Sequence, residues 1–170
     1  MNQIDLNNKT AVITGGAQGF GYSMVERFAK SGAKVVIWDK DKDLIDNLDL
    51  PNNVSAVQTD VTSYDSVENS VNETIEKNNS IDILVNNVYK IPSPPAWGGG
   101  YWDHPISIWD DQVGIGLRAH YVASWHAAGL MFKSDNARML NVSSPGGQSY
   151  HFSSSYGAGK AGLDRLTADM

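Results

Sequence analysis

An α/β fold built on a doubly wound parallel sheet is what this sequence predicts, and three observations predict it. Short apolar runs alternate with helical patterns at a regular pace along the 170 residues, which is the pattern of βαβ units. The first run, Ala11-Val12-Ile13, leads into a glycine-rich turn, Thr14-Gly15-Gly16-Ala17-Gln18-Gly19-Phe20-Gly21. An amphipathic stretch follows, with Tyr22, Met24, Val25, Phe28 and Ala29 on one side. Glycines let backbone approach a phosphate without a Cβ in the way, and a helix N-terminus offers free N–H groups and a positive dipole end. Strand, turn and helix start together suit a dinucleotide's diphosphate.

The elements follow in order. The first strand is expected over 10–14 and the first helix over 20–31, stopping at Ser31-Gly32, where glycine suits the C-terminal cap. The second strand covers Lys34 to Trp38 and ends at Asp39; a short helix over 41–48 closes at Pro51. The third strand is Val54 to Gln58, ending near Asp60. Thr62 or Ser63 caps a helix over 64–78, with Val67, Val71 and Ile75 at helical spacing. The fourth strand, Ile81 to Val85, leads into Asn86-Asn87. Residues 89–104 then carry Pro92, Pro94, Pro95, Gly98, Gly99 and Gly100 among Tyr89, Trp97, Tyr101 and Trp102, so they read as a loop. That loop sits at the carboxyl end of the fourth strand, where open α/β sheets place ligands. Ile106 to Phe132 reads as one or two helices, Arg138 to Val142 as the fifth strand, and 153 onward as a last helix. The result is one Rossmann-type, three-layer αβα domain spanning 1–170, with about five strands.

Composition narrows the function. The chain is 41% hydrophobic and 19% charged, ordinary for a globular domain. A net charge of −6 and a pI near 5.0 mark neither a nucleic-acid nor an anionic-membrane binder. With no cysteine there is no disulfide, thiolate nucleophile or cysteine metal site, and the 4 histidines lack a metal-binding spacing, so no metal is expected. The start, Met-Asn-Gln-Ile-Asp, has no secretory pattern, and no apolar run approaches the ~20 residues of a membrane span, so a cytoplasmic protein is expected.

Two sets of residues carry chemistry. Asp39, at the end of the second strand, can accept hydrogen bonds from ribose hydroxyls and would repel a 2′-phosphate, which favours NAD over NADP. The competing reading is a solvated residue of the run Asp39-Lys40-Asp41-Lys42-Asp43, and Lys40 and Lys42 leave room for NADP. The second set is Tyr156-Gly157-Ala158-Gly159-Lys160, whose Tyr and Lys share a helix face. A phenol with a pKa of ~10 is a poor base at neutral pH, and lowering it by ~3 units takes about 4 kcal/mol. An ammonium about 4 Å away at an effective dielectric near 20 supplies roughly that. Such a pair can exchange a proton with an alcohol or carbonyl oxygen, and Ser143 or Ser144 at the end of the fifth strand can hold the same oxygen. The aromatic loop 89–104 is a substrate lid or an interface. Trp125, His126, Met131 and Phe132 read as packing or subunit contacts. His120 reads as a surface or hydrogen-bonded residue, and so does His151, which is also close enough to Tyr156 to line the pocket.

With these pieces in place, the chain resembles the short-chain dehydrogenase/reductase family. The resemblance is carried by Thr14 to Gly21, Asp60-Val61, Asn86-Asn87, Asn141-Val142-Ser143-Ser144 and Tyr156 to Lys160, in the family's order and spacing over nearly the whole chain. The later half is similar to a narrower branch, the dehydrogenase/reductase SDR family member 1-like proteins. That likeness rests on Asn87-Val88-Tyr89, Trp109-Asp110-Asp111, Gly116-Leu117-Arg118-Ala119-His120-Tyr121, Ser143-Ser144-Pro145-Gly146 and Tyr156 to Lys160. The resemblance implies that Gly15, Gly19 and Gly21, with Gln18 and Phe20 between them, hold the cofactor's diphosphate. It places Asp39 on the adenine ribose, Asp60 and Val61 on the adenine, and Asn87 on the cofactor floor. It makes Tyr156 the general acid/base, Lys160 the residue that lowers its pKa and holds the nicotinamide ribose, and Ser144 the residue that orients the substrate oxygen. Ser143 is the alternative to Ser144.

The implied activity is an NAD(P)-dependent oxidoreductase moving hydride between nicotinamide and a secondary alcohol or ketone. The partner is a small alcohol or carbonyl substrate, with neither nucleic acid nor membrane, and a full-length chain is expected to be a homo-oligomer. A nucleotide-binding scaffold without turnover is the alternative. Three departures bear on it. Val88-Tyr89 replace the family's usual Ala-Gly after the Asn pair. Gly116 stands where many members have a catalytic Asn. Members also usually run well past this length, so the chain is expected to lack the last strands and the substrate-covering segment. The fifth strand would then be an open edge, and the chain alone would bind NAD weakly and turn over little.

Overall fold

The computed structural model describes residues 4–93 and 99–170. Its centre is a five-stranded parallel sheet in the order β3-β2-β1-β4-β5. The strands are β1 (Thr10–Thr14), β2 (Lys34–Asp39), β3 (Val54–Gln58), β4 (Ile83–Asn86) and β5 (Arg138–Asn141). The order reverses direction at β1, so the helices that follow β1 and β4 cover opposite faces of the sheet. The carboxyl ends of these two strands are where an open α/β sheet forms a crevice.

Helices cover both faces because the central strands are apolar on both. Val12, Val36, Trp38 and Leu84 point to one side, where they pack with Val67 and Val71 of α3 (Tyr64–Asn78) and Val122, Ala123 and Ala127 of α5 (Ala119–Met131). Ala11, Ile13, Val35, Ile37 and Val85 point to the other, against Val25, Met24 and Phe28 of α1 (Gly19–Lys30) and Leu44 and Ile45 of α2 (Lys42–Asp46). The strict alternation is the two-residue period of a strand, and its apolar character on both faces is the signature of a buried parallel sheet. Trp38, the largest buried side chain, is satisfied by an indole N–H bond to Thr74 Oγ1 at 3.1 Å.

The amino ends of β1, β4 and β5 are tied by one buried carboxylate. Asp82 accepts the Thr10 N–H at 2.8 Å, the Ser80 hydroxyl at 2.9 Å and the Ser134 hydroxyl, and pairs with Lys9 at 3.4 Å. Burial opposes its charge, but those hydrogen bonds and Lys9 outweigh burial and hold its pKa below the usual carboxylate value.

Most expected elements stand at or within a residue or two of their expected bounds; β1, β3 and α3 coincide with them, and Ser63 rather than Thr62 caps α3. The stretch expected as one or two helices is one continuous rod. It runs through α4 (Ser107–Trp109), a π-helical segment (Asp110–Arg118) and α5 without leaving helical backbone angles. The last helix, α6 (Ser154–Asp169), packs along the π-helical segment. Gly159 permits this approach, since a Cβ there would lie 2.8 Å from the Gln112 carbonyl oxygen. β5 forms one edge of the sheet and is only partly buried.

Candidate active site

The glycine turn is shaped by two kinds of constraint. Gly15 and Gly19 have φ of +63° and +56°, the left-handed region that favours glycine. Gly21 is limited by contact instead, because a Cβ there would fall 2.0 Å from the Gly15 carbonyl oxygen. Gly19 faces open space. Gln18 is the N-cap of α1 and makes no side-chain capping bond, so the first turn keeps N–H groups for another acceptor. An uncapped helix start behind an unobstructed glycine is suited to an anionic phosphate.

Side chains from three strand ends fix this turn. The Asp39 carboxylate, almost fully buried, accepts the Ala17 N–H at 3.1 Å and the Asp41 N–H at 3.1 Å. From β4, Asn87 donates its side-chain amide to the carbonyls of Thr14 at 3.0 Å and Gly15 at 3.3 Å. Thr14 Oγ1, at the end of β1, accepts the N–H groups of both Asn87 (3.0 Å) and Val88 (3.2 Å). A cleft of about 680 Å³ opens over these groups. Gly15, Gln18, Gly19, Phe20 and Gly21 line one end, Asp39, Asp60 and Val61 a second wall, and Asn87, Val88 and Tyr89 a third. Every expected cofactor residue except Tyr156 and Lys160 therefore lines one cleft. Asp60 accepts both the hydroxyl and the N–H of Thr62, which hold its pKa below the usual value. Phe20 is 88% exposed, its ring turned to solvent rather than packed.

The second set assembles at the end of β5. Ser144 caps a short 3₁₀ turn (Pro145–Gly147), and its Oγ accepts the Gly146 N–H at 3.1 Å and the Tyr156 hydroxyl at 2.7 Å. Gly146 leaves room for the Tyr156 ring, whose Cε1 would lie 2.5 Å from a Cβ there. Ser143 does not join this contact: its Oγ is buried and without a hydrogen-bond partner among the described residues. Ser153 caps α6, accepting the Tyr156 N–H at 3.2 Å, so Tyr156 stands in the first turn and Lys160 one turn later. Lys160 is only 6% exposed; its ammonium donates to the Val142 carbonyl at 2.8 Å. Burial lowers its pKa, and Asp164 opposes the shift.

Tyr89 joins the two halves. It lines the cleft, and its ring meets the Tyr156 ring edge-on at 5.8 Å, with the Lys160 ammonium 5.7 Å from its centroid. Phe152 also meets the Tyr156 ring edge-on, at 5.3 Å, and has φ of +64°, which is unusual for a bulky side chain. Of the loop 89–104, Pro94, Pro95, Trp97 and Gly98 lie outside the described residues. His151 is exposed and contacts Phe152 rather than Tyr156. Met131 is buried, whereas Trp125 and Phe132 are exposed on the outer side of the rod.

Gln112 escaped the sequence, and His120, expected at the surface or hydrogen-bonded, is hydrogen-bonded and buried. Gln112 and His120 lie one turn either side of Gly116, on the rod that faces Tyr89. His120 is 1% exposed, and its Nε2 is 3.0 Å from the Val88 carbonyl oxygen. A carbonyl only accepts, so Nε2 carries the proton. Burial drives the His120 pKa down to about 4; the Val88 bond opposes this and the Lys160 charge adds to it. Gln112 donates to the Lys90 carbonyl at 3.2 Å. Their recurrence at helical spacing around Gly116 was the available signal. Among the described residues no cluster of metal ligands occurs and no helix is long and apolar enough to cross a membrane.

A doubly wound parallel sheet with a glycine turn after β1 and a hydroxyl–phenol–ammonium set after β5 defines an α/β protein with acid–base groups beside its crevice. The chain belongs to the short chain dehydrogenase family, whose sequence profile matches residues 9–170. It is 34% identical over 173 residues to mouse dehydrogenase/reductase SDR family member 1, covering 96% of this chain and 55% of that protein. It is 32% identical to an uncharacterized oxidoreductase of Thermotoga maritima, covering 97% of this chain and 65% of that one. The ligand-free aldohexose dehydrogenase of Thermoplasma acidophilum superposes with a TM-score of 0.85 at 25% identity, over 99% of this chain and 62% of that one. The chain thus spans a little over half the length of the mouse relative.

Proposed function

We propose that this chain forms the cofactor-binding and proton-handling part of an NAD-preferring oxidoreductase that interconverts a secondary alcohol and a ketone. The observation that carries the reading is the Tyr156–Ser144 bond of 2.7 Å beside a buried Lys160, reached from the glycine-lined cleft through Tyr89. Bound nicotinamide supplies the hydride acceptor or donor, which no side chain can provide. Gly15, Gly19 and Gly21, with Gln18 and Phe20, would hold the diphosphate on the open start of α1. Asp39 would take the adenine ribose, Asp60 and Val61 the adenine, and Asn87 the cleft floor.

Ser144 and Tyr156 address one oxygen. In oxidation, Tyr156 as phenolate takes the alcohol proton while the Ser144 hydroxyl donates to the same oxygen; in reduction, Tyr156 returns the proton. Lys160, held against the Val142 carbonyl, keeps its positive charge 6.0 Å from the centre of the Tyr156 ring. A relative 32% identical over 143 residues, from Salvia officinalis, is named (+)-borneol dehydrogenase 2, and borneol is a secondary alcohol. NADH formation with a panel of secondary alcohols tests the reading. Turnover that disappears in Tyr156→Phe supports it; equal turnover in that variant refutes it.

A further inference from the structure

The fourth strand leaves the sheet as Asn87-Val88-Tyr89-Lys90, and this exit is held at every step. The Val88 N–H donates to Thr14 Oγ1 at 3.2 Å, and the Val88 carbonyl accepts from buried His120 at 3.0 Å. The Lys90 carbonyl accepts from buried Gln112 at 3.2 Å. The two carbonyls that flank Tyr89 are therefore captured by two side chains of the same rod, two turns apart. Lys90 is tethered a second time, its ammonium meeting Asp111 at 2.8 Å. Little freedom remains for Tyr89 itself. It is 38% exposed, yet its ring lies against the two residues that handle the proton, 5.8 Å from the Tyr156 ring and 5.7 Å from the Lys160 ammonium.

Among the described residues the ammonium has one hydrogen bond, to the Val142 carbonyl, and it stands 5.7 Å from the Tyr89 centroid and 6.0 Å from the Tyr156 centroid, so the cation and the two rings form a triangle. A cation within about 6 Å of an aromatic face is attracted by the ring quadrupole, more so where water is excluded. We propose that Tyr89 is a positioning residue for Lys160. Its ring, strapped in place by Gln112 and His120 through the neighbouring carbonyls, is the wall that keeps the ammonium dry and aimed at Tyr156. This rests on the reading of Lys160 as the partner of Tyr156. The ring, not the hydroxyl, performs the task, so phenylalanine suffices at this position and an aliphatic residue does not.

The titration of Lys160 reads this without cofactor or turnover. Lysine carrying carbon-13 beside the ammonium is followed by NMR against pH, and Lys160 is assigned by the loss of its resonance in Lys160→Arg. The charged and titratable groups facing it are Tyr89, Tyr156, His120 and Asp164, and the lysine window lies well above the histidine and carboxylate titrations. Tyr89→Phe is expected to leave the Lys160 midpoint in place. Tyr89→Leu admits water and moves it up by about half a unit or more, toward the ordinary lysine value. His120→Leu does the same with the Tyr89 ring still present, and His120→Gln, which can still donate to Val88, restores the native midpoint.

Thermal melts of each variant identify the folded ones. A folded Tyr89→Leu with the native midpoint, or Tyr89→Phe shifting as far as Tyr89→Leu, overturns the proposal. A shift in Tyr89→Leu but none in a folded His120→Leu overturns the strap. These outcomes leave the oxidoreductase reading standing, whereas turnover that survives Tyr156→Phe would remove that reading while leaving the Lys160 midpoints as measured.

Discussion

Tyr156 and Ser144 share one hydrogen bond of 2.7 Å, in which the phenol donates to Ser144 Oγ. Each occupies the place that a substrate oxygen would take from the other. On the proposed reading, an alcohol entering between them would accept from Ser144 and meet the Tyr156 oxygen, so the pair would mark where the substrate oxygen sits.

Removing either hydroxyl should separate chemistry from binding. Tyr156→Phe is expected to lower kcat on the order of 10²–10⁴-fold, the usual range for loss of a general acid/base. Dinucleotide binding, followed by NADH fluorescence, should stay within a few-fold, because the phenol adds little to the cleft. Ser144→Ala should lower kcat as well, while Ser143→Ala should change it little, since Ser143 Oγ bonds none of the described groups. Equal losses in the two serine variants would disprove the choice of Ser144.

Asp39 offers a test of cofactor choice. Its carboxylate already accepts the Ala17 and Asp41 N–H groups, yet it lines the cleft and keeps lone pairs for a ribose. A negative charge at that place opposes a 2′-phosphate. Asp39→Asn should therefore weaken NADH and strengthen NADPH, narrowing the ratio of their dissociation constants by about tenfold for each ~1.4 kcal/mol of charge discrimination removed. Parallel fluorescence titrations read the ratio. Tighter binding of NADPH than NADH by the native chain would contradict the role given to Asp39.

The glycine turn makes a prediction that its sequence alone does not. Gly21→Ala places a methyl 2.0 Å from the Gly15 carbonyl, so the turn must open. A loss of about 1–3 kcal/mol in stability is expected, with dinucleotide binding lost as well. Gly19→Ala meets no atom within 4 Å, but its φ of +56° costs about 1–2 kcal/mol in any side chain. Its methyl also points into the open cleft, so its main effect should be on binding. Denaturant melts alongside NADH titrations would distinguish the two. A Gly21→Ala chain with native stability and binding would show that the turn does not need this contact.

How much could be read before the structure depends on how local each signal was. The bounds of β1, β3 and α3 followed from short apolar runs, helical periodicity and a cap at Thr62 or Ser63, which act within a few residues. Of the cleft-lining set, the glycine turn and Asp39 followed from their places at the ends of the first two strands, whereas Asp60, Val61 and Asn87 were implied by the family resemblance. The π-helical backbone of Asp110–Arg118 was not legible, because its apolar spacing reads equally as an α-helix. Nor was the burial of His120 and Gln112, whose partners are carbonyls of a loop some twenty to thirty residues earlier. Asp82 was passed over for the same reason: its ligands come from β1 and from the turn before β5.

His120 leaves a signature in stability against pH. Folded, it is buried and neutral with a pKa of about 4, while unfolded it returns to about 6.5. Between those values the unfolded chain holds a proton that the folded chain does not, so stability rises with pH across this window. Acidification therefore removes stability progressively from about pH 6.5 down to about pH 4, on the order of 3 kcal/mol in all at about 1.36 kcal/mol per unit. Above the window the contribution is complete and flat. His120→Gln, which keeps a donor for the Val88 carbonyl but cannot titrate, should flatten the acid limb while leaving stability near pH 8 little changed. Urea melts at closely spaced pH values would measure both limbs. A His120→Gln chain with the native acid slope would refute this assignment; Asp82, whose lowered pKa acts below this window, cannot supply that slope.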